Sequence, residues 1–552
     1  MKKALTGLLA VTILIAAVGL LTACGTQSKG DLTIAVGYQF TTFDPAFNTE
    51  VSNSYVLTHL YSGMFRKGPN GELLNDLCER YEVSTDGLTY TFHIVPDALW
   101  SDGVPITAYD FEYSYLRNLS YGADNAYALS ICELINFIDG AEAYFEAALQ
   151  EGTSFDCTTA DHSYVGIEAV DDTTLVLRLS RPCSYLTDLM ATPYGWLPVR
   201  KDFAVQHESM WAFESGYPTS GAYVLAECNE TEKAVLKKNM NYRFADEVTM
   251  DTLTFLCMPD EATRTMAYQS GEVDVSLDMS ADATQPYEKT QKLWVMTQPS
   301  NYFLLINSSA GGPEWAKDVN VRRALALAID KEAVVSVLGG ELYYPVLNGY
   351  VPDGIPGIKG SFRSEGDADG YSLIYDPEQA KALLAQAGYD ESNPLHISYK
   401  YSNSGVHGAV AVKLQQMWKA VGIDVDLQSA ESSAFYGQLD QGDFQIAYYS
   451  FAFTDSAIQY LNMWVSSTSI AMGITPAVED PVFDQMVADA YETIDPVKFN
   501  NALHAAEDYL VEKNVYVIPL FNFNTSALVQ DYVEGHTMAG AYPCFSYTTV
   551  KK

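Results

Sequence analysis

Eight histidines, His59, His93, His162, His207, His396, His407, His504 and His536, are the side chains best suited to moving protons or holding metals near neutral pH. No two of them stand at the spacing of about three to five residues that zinc pairs use. There is no Gly-x-Ser-x-Gly elbow, no His-Glu-x-x-His pair and no phosphate-cradling P-loop. Gly354, Gly357 and Gly360 are interrupted by proline and do not make a dinucleotide fingerprint. Acidic pairs such as Asp171-Asp172 could serve general acid–base chemistry. Among 70 acidic residues, such pairs read as solvated surface charge. One thiol stands apart: Cys24 follows Leu21-Thr22-Ala23 at the end of an uncharged apolar run that begins at Ala4. A chain of 552 residues with no nucleophile, metal or cofactor motif points to binding, not to catalysis, and calls for no cofactor.

The elements that would position a binding site alternate between strand and helix. Leu32 to Val36 and Leu88 to Val95 alternate as strands, as does Leu175 to Leu179. Ser101-Asp102-Gly103 is a tight turn, and Thr107-x-x-Asp110 resembles a capping box that opens a helix through Phe111, Tyr115 and Leu116. The spacing of apolar residues predicts a helix over Val321 to Leu338. Asp376-Pro377 starts another, and Gly388 ends it. Ala411 to Val421 is helical and leads through Gly422 into the strand Ile423 to Leu427. Val497 to Glu512 is helical and precedes a strand at Val515 to Ile518. Interleaved strands and helices place the chain in the α/β class. At roughly 150 residues per domain, the length implies two to four domains.

The formal charge is −38, which repels phosphate backbones and excludes nucleic acid as a partner. The 38 tyrosines give amphipathic aromatic surface of the kind found in clefts. After Cys24 is set apart, seven cysteines remain, so not all can pair internally, and pairing stays open.

Met1-Lys2-Lys3, the apolar run and the small residues before Cys24 read as a secretory signal peptide. Leu21-Thr22-Ala23-Cys24 resembles the lipobox of bacterial lipoproteins. That resemblance implies lipidation of Cys24, a removed leader over 1–24, a tether over 25–30 and a body anchored outside the cell. Two acyl chains anchor stably where one does not. The alternative is an uncleaved transmembrane helix.

Several motifs, in order along the chain, resemble the family 5 solute-binding proteins of bacterial ABC importers, which include the oligopeptide- and dipeptide-binding proteins. They are Thr42-Phe43-Asp44-Pro45, Leu99-Trp100-Ser101-Asp102-Gly103-Val104-Pro105, Ser220-Gly221-Ala222-Tyr223, Lys238-Asn239-x-x-Tyr242, Gly271-Glu272-Val273-Asp274, Val321-Arg322-Arg323-Ala324-Leu325 and Ala387-Gly388-Tyr389. The resemblance implies a two-lobed, type II periplasmic-binding-protein-like α/β fold with an extra domain in the first lobe and a hinge between lobes. It implies domain I over 31–70, 200–298 and 521–552, domain II over 71–199, and domain III, the second lobe, over 299–520. It also implies a monomer that binds peptide, delivers it to the transmembrane subunits of a permease, and sits at the extracellular face of the cytoplasmic membrane.

Site residues follow from the same resemblance. Asp455, near the end of Ser450-Phe451-Ala452-Phe453-Thr454-Asp455, matches an aspartate that takes the peptide ammonium, displaced by one place. Phe451 replaces a tryptophan. Val51 falls where an early strand pairs with peptide backbone, Tyr127 matches a cleft tyrosine, and His407 matches a histidine near the ligand carboxylate. A family arginine is replaced by Tyr448, a lysine near Gly339 and a tryptophan by Ser432. With those cations gone, the ligand is either a longer peptide whose C-terminus projects outward or, as the alternative, a non-peptide solute such as an oligosaccharide, a metal chelate or a signalling molecule.

Overall fold

Along the chain come strands β1 (Asp31–Val36), β2 (Phe65–Lys67), β3 (Leu73–Asn75), β4 (Cys78–Val83), β5 (Thr89–Ile94), β6 (Ile167–Asp171) and β7 (Thr174–Arg178). They are followed by β8 (Tyr223–Asn229), β9 (Lys233–Lys238), β10 (Thr252–Cys257), β11 (Val275–Met279) and β12 (Leu293–Ile306). The last third adds β13 (Leu395–Ser402), β14 (Ile423–Ala430), β15 (Ile446–Ala452) and β16 (Val517–Val529). The helices used below are α1 (Val51–Leu60), α2 (Ala108–Ser120), α3 (Val319–Leu327), α4 (Lys331–Ser336), α5 (Pro377–Gln386), α6 (His407–Ala420), α7 (Ser432–Asp440), α8 (Pro481–Tyr491) and α9 (Pro496–Asp508). This computed structural model describes residues 30–48, 51–68, 72–120, 134–135, 137–191, 195–207, 215–367, 370–452, 456–467, 478–539 and 541–551.

Ten strands form one sheet in the order β14-β13-β15-β12-β16-β11-β1-β10-β9-β8, and β4-β5-β7-β6 form a separate antiparallel sheet. β12 and β16 are long because they belong to both halves of the large sheet. The first part of β12 pairs with the end of β16 (Leu293 with Leu528, Thr297 with Asn524). The register then breaks, and pairing resumes at Asn301 with Asn522. Beyond the break, β12 also pairs with β15, from Ser300 with Ala452 to Ile306 with Ile446. Pro299 lies in the break, where its missing N–H costs no ladder bond. The two crossings therefore divide the sheet into two lobes joined by a narrow strand pair.

Local chemistry sets the helix limits. Asp376 accepts from Gln379 N at 2.9 Å, and Pro377 takes the first helical position of α5. Thr107 N donates to Asp110 Oδ2 at 2.8 Å at the start of α2, one half of the expected capping box. The single helix expected over Val321 to Leu338 is in fact two. Asp330 leaves helical geometry and caps α4, accepting from Ala333 N at 3.0 Å, so α3 ends at Leu327. Buried apolar residues continue across the break, with Leu325 and Leu327 before it and Val334 and Val335 after it, and spacing alone cannot show a cap. None of the helices among the described residues is long and apolar enough to cross a membrane.

Candidate functional site

The strand directions place the site. β13, β14 and β15 are mutually parallel, and β15 ends at Ala452, opposite Ser300 in the crossover. In the other lobe, β1 runs parallel to β10 and β11. β11 ends at Met279, opposite Ser526, on the crossover side. Both lobes thus turn the carboxyl ends of their parallel strands toward the same two-strand hinge. Ligands of open α/β sheets bind in the crevice outside those ends, so the crevice between the lobes is the candidate site.

The wall from the second lobe is aromatic and hydroxylic. Tyr448 stacks on His407 with centroids 3.8 Å apart, on Phe435 at 4.9 Å and on Tyr302 at 5.1 Å. On the opposite face of β15, Tyr449 and Phe451 lie 4.8 Å apart, with Tyr436 edge-on to Tyr449 at 5.8 Å. Tyr436 is exposed. The hydroxyl of Ser402 lies 2.8 Å from that of Ser404 and 2.9 Å from that of Ser432. Strand alternation explains the arrangement: successive residues of β15 point to opposite faces, and α7 straddles the strand end, meeting Tyr448 with Phe435 and Tyr449 with Tyr436. Burial pushes the His407 imidazole down to about 4, so near neutral pH it is an uncharged ring.

The wall from the first lobe is held by Asp278, which follows Leu277 near the end of β11 at a φ of 57°. Its Oδ2 accepts from Gly37 N at 2.9 Å, and its Oδ1 accepts from the Tyr55 hydroxyl at 2.6 Å. Burial first, and the Asp278 carboxylate second, hold the Tyr55 hydroxyl well above its ordinary value, so it stays a donor. The Arg264 guanidinium gathers three carbonyls at this edge, those of Met258 (2.6 Å), Pro259 (3.0 Å) and Asp278 (2.9 Å). A left-handed conformation is costly for a residue with a side chain, and it persists because these bonds over-determine it. Sequence reasoning missed both Asp278 and Arg264. Neither lies in a motif that marks a site.

Of the expected site residues, the structure brings Phe451 and His407 to this wall. Phe451 N donates to Asn301 Oδ1 at 3.0 Å, which ties the end of β15 to the hinge. The expectation of a strand at Val51 is corrected: Val51 begins helix α1 and is exposed. Ser52 to Leu57, His59 and Leu60 are all buried, so α1 is enclosed on every side and not an edge open to pair with a peptide backbone. Asp455, Tyr127 and Cys24 lie outside the described residues. The replaced positions have physical accounts. At Tyr448 the side chain is buried in the stack. Ser432 joins the hydroxyl group. Gly339 has a φ of 115°, and a Cβ there would lie 2.9 Å from the Ala281 Cβ, leaving no room for a lysine.

Comparison with known proteins places the chain. Residues 72–472 match the family described as bacterial extracellular solute-binding proteins, family 5. The periplasmic oligopeptide-binding protein OppA of Escherichia coli is 28% identical over 511 residues, covering 91% of this chain and 88% of the relative. The unliganded open form of MppA, a periplasmic murein tripeptide binding protein, superposes with a TM-score of 0.79 at 25% identity, covering 95% of this chain and 98% of that one. Haemophilus influenzae OppA in complex with the peptide RPPGFSPFR gives 0.68 at 25% identity, covering 95% and 100%. A family match over most of the chain, the two-lobed sheet and the crevice at its crossover agree: this chain belongs to the family 5 bacterial extracellular solute-binding proteins, which are substrate-binding components of transporters and not enzymes.

Proposed function

We propose that this chain captures peptides in the interlobe crevice and hands them to the transmembrane subunits of an ABC permease, while acyl chains on Cys24 hold it at the outer face of the cytoplasmic membrane. The observation that carries this reading is the convergence of both lobes' strand ends on a two-strand hinge, which makes an elongated site that can close by rigid-body rotation. The peptide-binding relatives support the ligand class. In this reading Asp455 pairs with the peptide ammonium, because a buried ammonium needs a fixed carboxylate partner. Phe451 lies on the approach to Asp455, His407 stands toward the ligand carboxylate, and Tyr127 lines the cleft from the other lobe. The domain limits at 31–70, 200–298 and 521–552, at 71–199 and at 299–520 belong to the same proposal.

Native mass spectrometry and thermal shift with a pool of mixed short peptides test it. Peptide adducts with a raised melting temperature are expected. No stabilisation by any peptide, with clear stabilisation by another solute, overturns it. A non-peptide solute is the second reading. The observation in its favour is the aromatic and hydroxylic wall around an uncharged His407, which offers stacking and hydrogen bonds without charge. For the anchor, cell fractionation of Cys24→Ser is expected to show release to the medium. Equal membrane retention would mean a transmembrane anchor instead.

A further inference from the structure

The four-stranded sheet, which the proposed domain limits assign to the first lobe, touches the second lobe on elements that take no part in the crossover. Arg181, which follows β7, lies over the ring of Tyr491 at the end of α8, 4.1 Å from its centroid, and 5.2 Å from that of Phe137. Tyr185 stacks on Phe499 of α9 with centroids 5.8 Å apart and planes 17° apart. Phe137 and Tyr491 are 6.4 Å apart. Ile494 reaches the turn beside β5, within 3.6 Å of where a side chain on Gly87 would begin. Phe137, Tyr185, Tyr491 and Phe499 are all buried. One side of this contact packs on the four-stranded sheet of β4 to β7, and the other belongs to the helices of the second lobe. Among the described residues no chain segment joins the two sides here, and the ring contacts that bridge them are between side chains.

We propose that this contact is a latch for the open arrangement of the lobes, and that closure on any ligand has to break it. Large rings held at fixed angles do not survive rotation of one lobe against the other, because packed interfaces are bistable and do not deform continuously. The structure that carries the contact superposes better on the unliganded open MppA, at a TM-score of 0.79, than on the peptide complex of OppA, at 0.68. The latch subtracts from ligand affinity without touching ligand. A site whose competent state is thinly populated binds more weakly by that fraction. The inference rests on lobe motion and holds whichever solute class the crevice takes.

The test is single-molecule FRET across the crevice on the ligand-free protein, for wild type, Arg181→Ala and Tyr491→Leu. The leucine variant keeps an apolar side chain and removes only the ring face. Circular dichroism and melting curves confirm that each variant is folded. The closed fraction is expected to rise about 3- to 30-fold, the range that loss of a desolvated cation–π contact gives. Binding of the nonapeptide RPPGFSPFR by calorimetry is expected to tighten by the same factor. A closed fraction unchanged in both folded variants, or one that falls, overturns the latch. A raised closed fraction in a protein that binds no peptide leaves the latch standing and overturns the peptide reading instead.

Discussion

Asp44 and Arg117 are the two ends of a buried ion pair, and breaking it should cost more than any surface change. Both side chains are almost wholly buried, with side-chain exposures of 0% and 1%. The guanidinium is bidentate: Nη1 donates to Oδ1 at 2.9 Å, and Nη2 donates to Oδ2. Asp44 Oδ1 also caps the short turn of Pro45 to Phe47, accepting from Ala46 N at 3.0 Å. The pair fastens the loop after β1 to α2. Asp44→Asn keeps the cap and the shape but leaves a buried guanidinium without its counter-charge. Arg117→Met leaves a buried carboxylate. Removing one partner of such a pair costs about 3–5 kcal/mol, whereas an exposed pair costs about 0–1 kcal/mol. Lobes of this size shift in melting temperature by about 2–4 °C per kcal/mol, so each single change should lower the first-lobe transition by about 6–20 °C. The double change removes both charges at once and should cost less than either single one. Differential scanning calorimetry of the four proteins closes the double-mutant cycle. Single changes below about 2 °C, or a double change equal to the sum of the two, would refute the account.

Three further outcomes follow from other sites. His59 is buried, its Nδ1 donating to Tyr55 O at 2.7 Å and its Nε2 accepting from Phe545 N at 3.0 Å, and burial pushes it down to about 4. Its ordinary value lies above the folded one, so its contribution is complete above about pH 6.5 and is lost as pH falls toward about 4. The loss comes to about 3 kcal/mol. Urea unfolding at stepped pH should show that slope in wild type and not in His59→Gln, and equal slopes would count against it. A Cβ on Gly221 would lie 2.6 Å from Leu60 C and Tyr61 N, so Gly221→Ala should cost about 1–3 kcal/mol in thermal melts. Gly437→Ala, on an open face of α7, should gain about 0.5–1 kcal/mol. If the two alanines behave alike, close backbone approach is not the reason for Gly221. Asp455→Ala should weaken free-amine peptides about 30-fold to several-thousand-fold in calorimetry and spare acetylated ones. A loss under twofold would remove Asp455 from the site.

The motifs that make this family legible in sequence turn out to hold the fold together. Ser220-Gly221-Ala222-Tyr223 is recognisable because Gly221 N donates to Leu60 O at 2.9 Å in a space that excludes a side chain. Ser220 Oγ bonds Ser62, and Asn239 Nδ2 donates back to Gly221 O at 2.9 Å. Asp274 of the Gly271 motif accepts from Thr33 N at 2.8 Å and from the Tyr532 hydroxyl at 2.8 Å, tying β1 to the chain's last segment. Arg322 donates to Ala316 O at 2.6 Å and Asn514 O at 2.8 Å, joining the two ends of the second lobe. Each such position has one chemical solution, so its residue type carries the fold's signature. The crevice works the other way. Stacking against Tyr449 and Phe451 asks only for rings at a strand end, and many residues meet that demand. The segment of β15 is legible only through its family resemblance, and its mixed run Ile446-Ala447-Tyr448-Tyr449-Ser450-Phe451 does not show which of its faces a ligand meets. Asp278 could not be found by type either, because its role comes from a left-handed backbone and from partners at Gly37 and Tyr55 that only folding brings together. A change in ligand can therefore rewrite the crevice while every scaffold motif stays legible. For that reason the second-lobe wall, and not the motifs, is where this chain's specificity has to be measured.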